Sequence, residues 1–261
     1  MKRLVRNSLV ALLLAMCSAV ASVGQGIPIL VYHRFDSTAI VPTAVRTAVF
    51  ESQLTWLEGR HYRVLRLHAA IDELRSQRQA HEPAVVLTVD DGHRAVYTEM
   101  FPVIVKYHVP VTLFIYPSAI SNASYALTWD QIKKMQASGL VDVESHTYWH
   151  PNFRRERERE RRSPAGYAAL VKWQLERSQK VFESRLGTKV DALAWPYDIY
   201  DRDLEDAARN AGYAAAFAYD GGLARSGCEL YAIPRIPVSD SDTGERFSQL
   251  LTYLASRGRI E

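Results

Sequence analysis

Short aliphatic runs alternate along the chain with stretches whose apolar residues recur every three to four positions. Ile27 to Tyr32 (IPILVY) reads as a first strand ending in His33. Phe50, Leu54 and Leu57 fall at helical spacing before a turn at Gly59, and Leu67 to Leu74 reads as a second, short helix. Val85 to Val89 (VVLTV) is near-continuous in β-branched and aliphatic residues, the pattern of a parallel strand covered on both faces, and it runs straight into Asp90, Asp91 and Gly92. Tyr97 to Lys106 reads as a helix despite Pro102, and Val111 to Tyr116 as a strand. Trp129 to Ser138 is a helix with Thr128 as N-cap and Gly139 as its stop. Val141 to Ser145 is a strand that delivers His146, and Tyr167 to Leu186 is a long amphipathic helix closed by Gly187. Strand Ala192 to Trp195, helix Asp203 to Asn210 and strands Tyr213 to Ala218 and Leu230 to Ile233 complete the pattern. This alternation implies a parallel sheet, and about seven strands in one domain suggest an α/β barrel and not two halves.

Composition adds an address and removes a class of partner. Of the 261 residues 48% are hydrophobic, enough for one large α/β domain without staples. Residues 1 to 21 carry Lys2, Arg3 and Arg6, an apolar run from Leu9 to Val20 and the small-x-small triplet Ala19-Val20-Ala21, which is the layout of a secretory signal peptide. The run is too short for a comfortable membrane span. Cys17 invites a lipoprotein reading, but Met16 stands where such sites need a small residue, so ordinary cleavage is preferred. Without that segment the formal charge falls from +3 to neutral, and no basic footprint for nucleic acid remains. Cys228 is then the one cysteine left, which excludes an intramolecular disulfide and suits secretion or a bacterial periplasm.

The candidate chemistry gathers at strand ends. Adjacent carboxylates resist joint ionisation unless a cation or proton is shared, so Asp90 and Asp91 ask for a metal or a task. The plainer reading is a capped Asp-Asp-Gly turn with Gly92 at positive φ. His146-Thr147-Tyr148-Trp149-His150 places two imidazoles four residues apart; alone that spacing is weak, but with an acid from another strand end it gives a two-His, one-carboxylate set, the usual cradle of a hydrolytic Zn²⁺ or related ion. His33 ends the first strand. The run Arg154 to Arg162 (RRERERERR) is a solvated loop or helix start, or else a contact for an anionic polymer. Tyr32, Trp149, Trp195 and Tyr197 would suit stacking on sugar faces, with packing the better reading for Trp195. His61, His68, His81, His93 and His108 read as surface or capping residues, and Asp220 as either a turn residue or a supporting acid.

The TVDDG stretch, the HTYWH stretch and Trp195-Pro196-Tyr197 resemble, in order, the first three motifs of the polysaccharide deacetylase family, carbohydrate esterase family 4. The resemblance runs from about Ile27 to Val238, and the opening IPILVYHRF resembles the branch containing poly-β-1,6-N-acetylglucosamine deacetylases. It implies a distorted (β/α) barrel of seven strands, with Asp91, His146 and His150 binding a divalent ion, zinc first with cobalt, nickel or iron as alternatives. It also implies Asp90 as catalytic base and the backbone N–H of Tyr197 as oxyanion donor, a division that suits metal-assisted hydrolysis. The chain departs from the family pattern at Ala194, where an Arg commonly orients the base, at Asp198, where Gly is frequent, and at Ile233-Pro234-Arg235-Ile236, where a Leu-x-His usually supplies the general acid. In the related branch a His at the first strand's end takes that role, and His33 matches it. The alternative for His33 is a hydrogen bond within the barrel mouth or an interaction with Asp36.

The expected function is an exported, metal-dependent deacetylase of N-acetylglucosamine units in a polysaccharide, most naturally a β-1,6-linked exopolysaccharide, with an export machinery as a further partner. Peptidoglycan or chitin oligomers are the close alternative, and a catalytically silent sugar-binding homologue the distant one. An intact Asp90, Asp91, His146 and His150 set speaks against silence, because a pure binder does not need hydrolytic ligands.

Overall fold

The computed structural model describes residues 26–37, 41–76 and 82–257, and side chains as far as Leu251. The expected signal segment, Cys17 and His81 lie outside these residues. The chain forms β1 (Ile29–Tyr32), β2 (Arg34–Asp36), β3 (Ala44–Arg46), α1 (Thr47–Gly59), β4 (Arg63–Leu65), α2 (Leu67–Ser76) and β5 (Ala84–Asp90). A π-helical turn, Val96–Met100, leads into α3 (Phe101–Tyr107), followed by β6 (Val111–Ile115), α4 (Trp129–Ala137), β7 (Val141–Ser145), α5 (Phe153–Arg159) and α6 (Pro164–Leu186). Then come β8 (Ala192–Ala194), a 3-10 turn at Pro196–Asp198, α7 (Arg202–Asn210), β9 (Ala215–Phe217), β10 (Ile236–Pro237) and α8 (Gly244–Arg257).

The main sheet runs β10-β1-β5-β6-β7-β8-β9, parallel throughout, with β4 paired to the first half of β5. All seven residues of β5 are buried, because both faces of the sheet are covered. Leu87 and Val89 face a layer that includes Phe50 and Leu54 of α1, Ile104 of α3 and Ile132 of α4, whereas Val86 joins Ile29, Phe114, Ala192, Ala215 and Phe217 on the other face. That second face is concave: the rings of Phe114 on β6 and Phe217 on β9 lie 5.4 Å apart although β7 and β8 intervene. The result is the curled, single-domain barrel sheet that the strand pattern implies.

Helix α2 plugs one mouth of the curl. Leu67, Ala70, Ile71 and Leu74 enter the concave cluster, and polar residues of the helix, with Arg66 just before it, reach the beginnings of three strands. Arg66 donates to the carbonyl of Gly139 and to Asp142, His68 meets Asp191, and Arg75 donates to the carbonyl of Ala214. The strands' C-terminal ends therefore form the open mouth, where parallel α/β sheets place their ligands.

Local chemistry accounts for most boundaries. Thr128 and Gln131 form a reciprocal capping box at α4, and Gly187 closes α6 at φ 66°. The expected helix 97–106 is divided because Pro102 sits in the first turn of α3, where its missing N–H costs nothing, and the turn before it is π-helical. The charge run begins as helix, with Asn152 capping α5. One strand is displaced from its expected place: Leu230 to Ile233 is a turn in which Ile233 alone bridges Phe217, and the strand is Ile236–Pro237. Segment 233–237 thus links both edges of the curl, bonding β9 through Ile233 and β1 through Ile236.

Candidate active site

Asp90 is the last residue of β5, and His146 follows the last residue of β7, so both arrive at the open mouth by strand geometry. The turns beyond are sharply bent. Among the described residues eight non-glycine positions have positive φ, and five of them are here: Asp91 (72°), Thr147 (64°), His150 (62°), Tyr197 (57°) and Asp198 (56°). Such backbone concentrates where structure holds functional groups in place. Gly92 also takes positive φ, and a Cβ there would come within 2.9 Å of Ile115, so the turn after the two acids requires glycine on both counts.

These bends bring Asp91, His146 and His150 together, with one candidate ligand atom from each within 4.8 Å of the others. His146 Nε2 lies 3.7 Å and His150 Nε2 3.5 Å from Asp91 Oδ1. The donor set fits a divalent ion. His146 donates from Nδ1 to the carbonyl of Ala194 at 2.8 Å, which leaves the Nε2 lone pair facing the cluster, as metal-ligating imidazoles are usually held. Burial first, and then the neighbouring His146, push the pKa of His150 down to about 3, so its ring is neutral and has a lone pair to give.

Asp90 is held differently. Arg235, buried beside it, donates to both carboxylate oxygens, Nη1 to Oδ1 at 2.8 Å and Nη2 to Oδ2 at 2.7 Å. Arg235 is itself fixed by the carbonyl of Ala218 (3.0 Å), by Thr88 Oγ1 (3.2 Å) and over the Phe114 ring. Burial alone would raise the pKa of Asp90; the Arg235 charge and then His146 outweigh it and bring it to about 2. Arg235 is the residue that sequence reasoning missed. It makes the contact expected of an Arg at position 194, from the segment just before β10, and the available signal was an arginine set between Pro234 and Ile236 with no exposed context.

A cleft of about 390 Å³ joins these groups, lined also by His33, Tyr197, Asp198 and Tyr219. The His33 ring stands 5.7 Å from Tyr219, and the Tyr197 ring 4.5 Å from His150. Asp198, the departure from glycine, accepts the backbone N–H of Tyr219 at 2.7 Å and ties the two rims together. Asp220 accepts from Gly222 N–H and is a turn residue. Of the aromatic candidates, Tyr197 and Trp149 are exposed, and Trp195 packs the barrel with its indole N–H on the carbonyl of Tyr231. Tyr32 is buried with its hydroxyl on Gln53, which removes it as a sugar contact.

A curled parallel sheet whose open mouth gathers a two-His, one-carboxylate cluster beside a clamped aspartate is the architecture of barrel hydrolases that work with a metal ion. Residues 77–216 match the polysaccharide deacetylase family, more than half of the chain, and the protein belongs to that family of hydrolases. A polysaccharide deacetylase-named protein of Bacillus subtilis (strain 168) is 27% identical over 221 residues, 85% of this chain and 74% of that one. The poly-β-1,6-N-acetyl-D-glucosamine N-deacetylase of Staphylococcus aureus (strain MRSA252) is 24% identical over 214 residues, 80% of this chain and 73% of that one. The solved structure of IcaB from Ammonifex degensii superposes with a TM-score of 0.76 at 25% identity, covering 89% of this chain and 98% of that one. His33 and Arg235 both lie outside the matched segment, so their place in the site comes from the geometry.

Proposed function

We propose that the protein is an exported, metal-dependent N-deacetylase acting on N-acetylglucosamine units of a β-1,6-linked polysaccharide. The observation that carries the chemistry is the convergence of Asp91, His146 and His150 beside the clamped Asp90. The names of the Staphylococcus aureus relatives support the substrate, and the signal-like layout of residues 1–21 supports export. Among the described residues no helix is long and apolar enough to cross a membrane.

Asp91, His146 and His150 would hold the ion, with zinc the first candidate. When bound, it supplies Lewis acidity for the acetamide oxygen and lowers the pKa of water. Asp90 accepts the proton of the attacking water, and Arg235 keeps both its oxygens in a fixed plane. The Tyr197 backbone N–H meets the negative charge that develops on the acetamide oxygen. Expulsion of the amine needs a proton, and His33, across the cleft, donates it as the C–N bond breaks; acetate and the free amino sugar are released.

The test is metal content together with acetate release from poly-β-1,6-N-acetylglucosamine, chitin oligomers and peptidoglycan. Acetate is expected from the first, abolished by chelation and restored by Zn²⁺. Release from only the second or third moves the substrate, and a metal-loaded protein that releases none would be a binder.

A further inference from the structure

Beside the cleft, and outside its lining, two tryptophans stand exposed in contact with each other: Trp149, 39% exposed, and Trp173, 43%, with ring centroids 5.2 Å apart. Tyr148 packs edge-on against Trp173 at 5.0 Å, and the Arg177 guanidinium covers its ring at 5.8 Å. Exposed tryptophans on a folded surface are uncommon enough to ask for an occupant.

The cluster is built, not scattered. Trp149 sits on the strained turn between the two histidines, and Trp173 on α6. Gln174 joins them, its Oε1 accepting the backbone N–H of both Tyr148 (3.2 Å) and Trp149 (3.1 Å). Its Nε2 is buried with no partner among the described residues, so the fold tolerates an unpaired donor to keep this turn against the helix. Trp149 is also the chain neighbour of His150, which puts its Cα about 3.8 Å from that of a proposed metal ligand.

We propose that Trp149, Trp173 and Tyr148 form a stacking shelf for pyranose rings of the polymer, a subsite next to the catalytic cleft that binds sugar units flanking the one being deacetylated. The inference rests on the polysaccharide reading above. A polymer leaving the cleft must cross an adjoining surface, and this shelf is continuous with the cleft through the 146–150 turn. Rigid aromatic faces receive the C–H faces of neutral sugars with little conformational cost, and Arg177 stands at the rim as a donor for hydroxyls.

The test compares wild type, Trp173→Ala and Trp173→Phe on β-1,6-N-acetylglucosamine oligomers from two to six units. Wild type should gain kcat/KM with length; Trp173→Ala should lose about tenfold of that gain through KM, the size of one lost aromatic stack, and Trp173→Phe should keep most of it. A loss equal at every length, or none, overturns the shelf. If wild type deacetylates no oligomer, native gels containing the acetylated polymer still read the shelf: retardation of wild type and its loss in Trp173→Ala supports it, and absence of retardation overturns it. Binding to phosphatidylcholine–phosphatidylglycerol vesicles that Trp173→Ala abolishes would assign the surface to lipid instead.

Discussion

Replacing Arg235 with methionine takes two charge-assisted hydrogen bonds from a carboxylate that is only 2% exposed. In the native protein the pKa of Asp90 is lowered from 3.8 to about 2. A depressed carboxylate contributes stability above its unfolded pKa and loses it as pH falls through the folded one, so Asp90 stabilises the fold at neutral pH by roughly 2–3 kcal/mol. Without the guanidinium, burial acts on Asp90 with much less opposition and its folded pKa rises. Once that pKa exceeds the unfolded value the linkage reverses, and the group destabilises the fold increasingly as pH climbs from the unfolded toward the folded pKa. Breaking a buried pair from one side costs about 3–5 kcal/mol, and that loss should be greatest near pH 7 and shrink by about half toward pH 4. Urea unfolding of chelator-treated wild type and Arg235→Met across that range reads the difference directly. The double variant with Asp90→Asn should regain a large part of the loss at pH 7, because no charge is left stranded. A deficit independent of pH, with no recovery in the double variant, would refute the claim that Arg235 acts through the Asp90 charge.

Asp91→Ala and His146→Ala should lose bound metal by elemental analysis while the metal-free proteins melt close to wild type, since a core of this size does not need the ion to fold; Asp90→Asn should keep the metal and lose the rate, and the opposite pattern would exchange the roles of the two acids. His33→Ala should reduce turnover of the acetamide by about a hundredfold to ten-thousandfold while sparing an activated aryl acetate, whose leaving group departs unaided; equal effects on both substrates would exclude it as the acid. At the plugged mouth, burial raises Glu144 to about 8 despite two backbone N–H donors, and His68 is raised by Asp191 and Glu144 against its own burial. A raised carboxylate loses stability as pH rises from its unfolded toward its folded pKa, and a raised histidine loses its contribution over the upper part of that range. His150, lowered to about 3, acts in the opposite sense below about pH 6.5, so the readout is the difference between the two proteins: Glu144→Gln should gain on wild type by on the order of 1–2 kcal/mol as pH rises from about 5 to 8; melting curves with identical pH slopes would contradict it.

The parts of the fold that were legible are those whose residues report their own neighbours. Strands such as Val85 to Val89 announce burial on both faces, and Thr128 with Gln131 announces a helix start. Tyr32 was also readable in principle: period-two alternation puts it with Leu30 on the outer face, away from any sugar. Arg235 was not readable, because its partner Asp90 is 145 positions away and Arg235 lies just before a strand of two residues, one of them proline. The misplaced strand has the same origin. Leu230 to Ile233 is apolar enough to be extended, yet only Ile233 finds a ladder partner before Pro234 redirects the chain. His68 is exposed, as its surface reading has it, but its contact with Asp191, 123 positions away, forms only once α2 enters the curl.

The origin of the guanidinium changes what the orientation of Asp90 depends on. At position 194, where the family pattern puts an arginine on β8 itself, this chain has a buried alanine whose carbonyl instead fixes His146. The arginine comes from the segment that closes the curl, anchored to β9 at one end and β1 at the other. That segment is tightly seated: the Arg235 carbonyl accepts from Gly221 N–H, and a Cβ at Gly222 would meet Pro234 at 3.0 Å. Closing the barrel and orienting the aspartate are therefore one structural event. A displacement of Pro234 or Ile236 would withdraw Arg235 from Asp90 without altering either residue. The Asp91, His146 and His150 cluster proposed to hold the metal is carried by the β5 and β7 ends and has no such dependence, so the two halves of the site can fail separately.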